Sequence, residues 1–108
     1  MKKATLKSSI MTTEGFKEVQ VDGWLLELNK DLEVNDITNK YSFGIYKKDD
    51  KRYYVIENET GSSISNHETR KGSVAAANNV LSRVTLEKFE TVVDRTKEKF
   101  ENLKLKRN

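Results

Sequence analysis

The chain has no cysteine and no proline. Without cysteine there is no disulfide framework, no thiolate nucleophile and no cysteine-based zinc site. No apolar run approaches the roughly 18–20 residues of a membrane-spanning helix. The opening "MKKATLKSSIMTTEGF" has the early lysines of a secretory signal but no apolar central region. A cytoplasmic protein without a membrane partner is therefore expected. "NET" at 58–60 fits a glycosylation sequon, which has no use in that setting. Histidine occurs once, as His67. A Ser–His dyad needs a hydroxyl within hydrogen-bond reach of that ring. Ser62, Ser63, Ser65 and Ser73 are near it in sequence, but no nucleophile-elbow motif surrounds them. His67-Glu68 lacks the second histidine of a zinc-binding helix, and "TGSSIS" lacks the lysine and spacing of a phosphate loop. Asp31, Glu33 and Asp36 lack the spaced oxygens and glycine of a calcium loop. The expectation is a non-enzyme with no cofactor and no metal.

What is present is short, charged and periodic. The chain has 108 residues, which predicts one domain. Charged residues make up 34% and hydrophobic ones 35%, so the core must be modest. Net charge is +3, mildly basic, which permits nucleic-acid binding without demanding it. Abundant lysine and asparagine with no proline match the residue usage of AT-rich genomes.

The first two-thirds alternates with period two. Residues 4–12 predict a short edge strand. "FKEVQVDGWLLELN", 16–29, contains Asp22-Gly23 between alternating apolar residues, the signature of a two-residue type I′ turn. That turn puts Val19, Val21, Trp24, Leu26 and Leu28 on one face, with Trp24 as a core anchor; one long strand with a bulge at Gly23 is the alternative. Residues 30–39 predict a polar connection pinned by Leu32, Val34 and Ile37. "KYSFGIYKKDDKRYYVIEN", 40–58, predicts a hairpin folded about Asp49-Asp50. With a loop of two or four residues, Tyr41, Phe43, Ile45, Tyr54 and Ile56 share the inner face. Tyr46, Tyr53 and Val55 then turn outward, with Lys48 opposite Lys51 at the tip. Gly61 marks a further turn, and "SSISNHE" a short strand carrying Ile64 inward.

After Thr69 the period changes. Val74, Ala77, Leu81 and Val84 share one helix face, and Thr69 or Ser73 can cap its start. Leu86, Phe89, Val93, Thr96, Phe100 and Leu103 form a second stripe out of phase with the first. A break near Ser82 to Thr85 follows, with Thr85 capping the second helix. Strands first and helices last predict an α+β fold. The expected architecture is an antiparallel meander of four to five strands, roughly residues 4–67, then two C-terminal helices, roughly 70–104, packed on one sheet face.

The candidate binding residues are Tyr46, Lys48, Lys51 and Tyr53. Two tyrosines beside two lysines on an outer face suit an anionic partner: bases stack on the rings while lysines meet phosphates, or an acidic protein surface takes their place. The stripe Leu86, Phe89, Val93, Phe100 and Leu103 either packs on the sheet or forms a seam with a second copy. The short meander followed by "TRKGSVAAANNVL" is similar in build to many small orphan proteins of phages and mobile elements. The expected function is a non-enzymatic binding module. It would occupy a surface of a host protein or protein–nucleic-acid complex, as inhibitors of bacterial defence do. A small nucleic-acid-binding protein and an oligomeric assembly protein are the two alternatives.

Overall fold

A computed structural model describes residues 1–12, 15–48 and 51–106. Five strands form one antiparallel sheet in sequence order: β1 (Lys2–Thr12), β2 (Gly15–Leu25), β3 (Phe43–Lys47), β4 (Tyr53–Glu57) and β5 (Ser63–His67). A short helix α1 (Asp36–Lys40) precedes β3, and α2 (Arg70–Arg83) and α3 (Leu86–Lys106) close the chain. The α+β meander expected from the sequence is the fold.

β2 runs unbroken through Asp22-Gly23, with Ala4↔Gly23 and Thr5↔Asp22 in the ladder. Asp22-Gly23 is thus neither the predicted turn nor the bulge. The pairing continues to Thr12↔Gly15. Gly23 answers a long-range need. A Cβ there would lie 2.3 Å from the Ile45 carbonyl oxygen and 3.0 Å from Tyr46 Cβ. Only a residue without a side chain lets β2 press this close to β3. β2 pairs with β3 through Trp24↔Ile45 and Leu25↔Gly44 alone. Beyond that contact the long β1–β2 hairpin leaves the ladder and folds over the sheet.

Two apolar clusters result. On the helix side, Phe43, Ile45 and Val55 pack with Leu26, Leu32, Ile37, Val74, Ala77, Leu81, Phe89 and Val93. On the opposite side, Leu6 of the hairpin is buried against Tyr46 and Ile56 of the sheet, with Val21, Leu25 and Tyr54 at the edge of the cluster. A turn from the other end of the sheet meets β1 there: the Ser9 N–H donates to the Gly61 carbonyl at 3.0 Å. Gly61 holds φ +73 and approaches β1 so closely that a Cβ would meet the Lys7 carbonyl oxygen at 2.6 Å. Positive φ and close approach both select glycine. Buried Glu57 holds this turn, its carboxylate accepting from the Thr60 N–H at 2.9 Å and the Thr60 hydroxyl at 2.8 Å.

The polar connection contains α1. Asn35 accepts from the Ile37 and Thr38 N–H groups, and the Thr38 hydroxyl accepts from the Asn35 N–H at 2.8 Å. This reciprocal cap fixes five residues that lack the length to be a helix by periodicity. Ile37 and Leu32 are buried pins, as expected, but Val34 is exposed. Asn78 of α2 ties the connection down, donating to the Asp31 carbonyl and accepting from the Glu33 N–H. α2 starts at the Thr69 cap, whose hydroxyl accepts from the Gly72 N–H at 3.0 Å. It ends at Val84, and Thr85 caps α3 through the Lys88 N–H. The break therefore falls where the two stripes change phase. Phe89 and Val93 are buried against the chain's own sheet and α1, with Tyr41 edge-on to Phe89 at 4.9 Å. The seam reading fails for that part of the stripe. The side chains of Phe100 and Leu103 lie outside the described residues.

Candidate binding surface

The β3–β4 register decides which hairpin residues meet. Lys47 pairs with Tyr53, Tyr46 with Tyr54 and Ile45 with Val55. An odd number of residues, 48–52, separates the last pair. The Lys51 N–H donates to the Lys48 carbonyl, the Lys48 N–H donates to the Arg52 carbonyl, and Lys51 holds φ +66. A tight turn followed by a left-handed residue is the usual odd-loop hairpin. The predicted Asp49-Asp50 turn lies outside the described residues. An odd loop turns every β4 side chain to the face opposite the one an even loop gives.

The four candidate residues therefore separate. Tyr46 is 5% exposed on the hairpin-covered face, its hydroxyl 2.9 Å from Ser8 Oγ and its ring stacked on Tyr54 at 5.9 Å. Lys48 is exposed, with its ammonium 5.2 Å from the Tyr54 ring centre. Its cross-strand neighbour is Arg52, not Lys51. Lys51 is exposed within the loop. Tyr53 sits on the helix-side face, half-buried, with Lys47 5.8 Å from its ring centre. The expected single patch is not formed.

A different constellation forms around Tyr53. The helix-side face carries Trp24, Ile45, Lys47, Tyr53 and His67 at neighbouring register positions. The start of α2 lies over this end, anchored by the Ser73 hydroxyl donating to the Tyr53 carbonyl at 3.0 Å. Trp24 is half-buried, not the enclosed anchor expected of it, because the hairpin diverges there and leaves one side open. Arg70 lies over the indole at 4.7 Å. Lys3 pairs with Trp24 across β1–β2. An open groove of about 530 Å³ runs beside the indole, lined by Lys3, Ala4, Thr5, Asp22, Gly23 and Trp24. A second hollow of about 400 Å³ is lined in part by Lys30, Asp31, Arg70 and Lys71.

The charges here oppose fold stability. The first turn of α2 has no acidic residue and carries Arg70 and Lys71. Cations at a helix N-terminus face the positive end of its dipole, at a cost of about 0.3–1 kcal/mol each. Arg70 recovers a similar amount from the indole. Lys71 is exposed and makes no ion pair among the described residues.

His67 is exposed at the end of β5, with Nδ1 accepting from the Thr69 N–H at 3.1 Å. The nearest serines bond elsewhere: Ser65 donates to the Ser73 carbonyl and Ser73 to the Tyr53 carbonyl. Among the described residues no group of three His, Asp or Glu side chains is placed to hold a metal, and no helix is long and apolar enough to cross a membrane.

At the opposite end, Lys40 pairs with Glu90, and Lys97 lies 2.5 Å from Glu59. Both ammonium groups are held above the ordinary lysine range, first by these hydrogen bonds. Tyr41 between them is raised by burial and then by the Glu90 charge. These ion pairs are local ties from α3 to α1 and to the turn between β4 and β5. The basic end has no such partners for Lys47 or Lys71 among the described residues. The signal for this site was the pair of cations in the first turn of α2, where acidic residues are usual. No family model, curated protein or solved structure matches the chain.

Proposed function

We propose that the chain is a non-enzymatic binding module that docks the basic end of its sheet on an anionic surface of a host protein or protein–nucleic-acid complex. The observation that carries this is the first turn of α2. Arg70 and Lys71 sit where cations weaken the helix, beside Lys3, Lys47 and the half-buried rings of Trp24 and Tyr53. Charges kept against the local stability preference are a mark of function. The arrangement is suited to occupancy: two rings give rigid contact area, and four cations set orientation and attract the partner. In that reading the chain blocks a surface and turns nothing over, the working mode of small inhibitors of bacterial defence.

The test is partner capture from host lysate, with and without nuclease, by the parent and two charge-reversed variants. Lys47→Glu with Arg70→Glu removes the basic end. Lys88→Glu with Arg95→Glu makes the same charge change on α3. Capture should be lost in the first and kept in the second, with both variants melting near the parent temperature. Equal capture by both variants contradicts the proposal.

A further inference from the structure

The groove beside Trp24 holds a chemically mixed set. One wall is an indole, already ordered by its packing against the core and by Arg70. Lys3 supplies an exposed ammonium and Thr5 a hydroxyl, and Asp22 brings a carboxylate into the same groove. Ala4 and Gly23, between these residues on the two strands, also line the groove. Asp22 is the discriminating feature. The carboxylates of an acidic protein surface have no donor to offer Asp22, so such a partner would engage the cations alone. A nucleotide instead carries both signs of recognition. Its phosphate suits Lys3, Arg70 and Lys71. Its base has a π-face for the indole, and an exocyclic amino group on its edge donates to a carboxylate, as cytosine N4 does to Asp or Glu. A ring wall and an edge acceptor in one groove require a base free of its complement. That is the single-stranded mode, with stacking and cation contacts combined.

We propose that this groove seats one unpaired base of a single-stranded nucleic acid against Trp24 and Asp22, with the flanking phosphates along Lys3, Arg70 and Lys71. The inference rests on the binding-module reading above and names its partner class. It predicts a preference for cytosine, which offers an amino group at the edge position, over thymine, which offers an acceptor there.

Trp24 is the single tryptophan of the chain, so its fluorescence reports the groove directly. The experiment titrates the whole chain with short oligo-dC and oligo-dT strands, and separately with a poly-glutamate peptide as the acidic-protein probe, at two salt concentrations. Oligo-dC should quench Trp24 and bind about 5–10-fold more tightly than oligo-dT, the worth of a modest edge contact. Asp22→Asn should remove that preference, because its amide presents a donor as well as an acceptor. Lys3→Ala with Arg70→Ala should flatten the salt slope for either strand by about 1.4, two phosphate contacts at the single-strand value. Lys88→Ala with Arg95→Ala on α3 should not flatten it. Equal affinity for the two strands, or binding without quenching, overturns the seating of a base. Binding of poly-glutamate with none of either oligonucleotide overturns the partner class and leaves the anionic-docking reading standing. Oligonucleotide binding that Lys3→Ala with Arg70→Ala leaves unaltered overturns both.

Discussion

The two faces of the sheet are covered by different means. On the helix side, α1, α2 and α3 lay apolar side chains over Phe43, Ile45 and Val55, and the contact is mainly hydrocarbon, with the buried Ser73 hydroxyl donating to the Tyr53 carbonyl at its edge. On the other side the protein covers itself with its own first hairpin, and the seal is partly polar. Ser8 is 2% exposed and bonds the Tyr46 hydroxyl, and Gly23 and Gly61 allow backbone to press on backbone. A helix can slide its stripe to fit a sheet. A hairpin that remains in the ladder at one end cannot, so its fit depends on single atoms. The helix-side face should therefore lose stability in proportion to buried volume. The hairpin side should respond to changes of one atom or one hydrogen bond.

The largest effect is expected on the helix side. Phe43 is 1% exposed and packs on Phe89 with ring centres 6.0 Å apart. Phe43→Ala should cost about 3–5 kcal/mol, a large share of the roughly 5–15 kcal/mol available to a domain. Denaturant unfolding measures it, and a loss under about 1 kcal/mol would remove Phe43 from the core. Next is Gly23→Ala, which adds one carbon against the Ile45 carbonyl. Overpacking of this kind costs about 1–3 kcal/mol. The loss should come with amide exchange rising in β1 and β2 before α2 and α3. Uniform exchange would show that the hairpin is not a separate unit. Ser8→Ala should cost about 1–3 kcal/mol by stranding the buried Tyr46 hydroxyl. Adding Tyr46→Phe should restore most of it, since removing both partners leaves nothing unsatisfied. Additive losses in that double-mutant cycle would argue against the bond.

A smaller effect tests the far end. Lys40, Lys97 and Tyr41 hold their protons more tightly in the folded chain than in the unfolded one. Groups raised in this way contribute fully at neutral pH. They lose that contribution as pH rises through their ordinary ranges, above about pH 10. The melting temperature should be level from neutral pH to about 9 and then fall. Glu90→Gln with Glu59→Gln should flatten the fall. An unchanged alkaline slope would show that these ties do not hold α3.

Local signals were legible and distant ones were not. The switch of period at Thr69, the Thr69 and Thr85 caps and the phase change between two stripes all depend on residues within one or two turns. The sequence reading and the fold agree on them. Asp22-Gly23 carries a strong local turn signal, yet its glycine serves a contact with Ile45 that sequence separation hides. The β3–β4 hairpin shows a different limit. Even loops preserve one facing, but the chain uses an odd loop, with Lys51 taking the left-handed position without the usual glycine. One residue of parity moved Tyr54 and Ile56 to the hairpin-covered face and Val55 and Tyr53 to the helix side. It also dispersed the expected patch of Tyr46, Lys48, Lys51 and Tyr53. α1 carries no familiar helix signal in the sequence, because its cap is Asn35 with Thr38 rather than serine or threonine with glutamate. Trp24 reads from the sequence as a core anchor; its half-burial follows from the divergence of the hairpin from β3 beside it, so its truncation should cost less than that of Phe43.

The central claim is that the start of α2 carries cations for binding at the expense of folding. Lys71→Glu tests it with one substitution. The change replaces an unfavourable charge–dipole contact with a favourable one, worth about 1 kcal/mol. For a domain of this size that raises the melting temperature by a few degrees. The same variant, titrated with oligo-dC, should bind more weakly than the parent. A melting temperature that rises while affinity falls is the predicted result. A lower melting temperature, or affinity equal to the parent's, would contradict it.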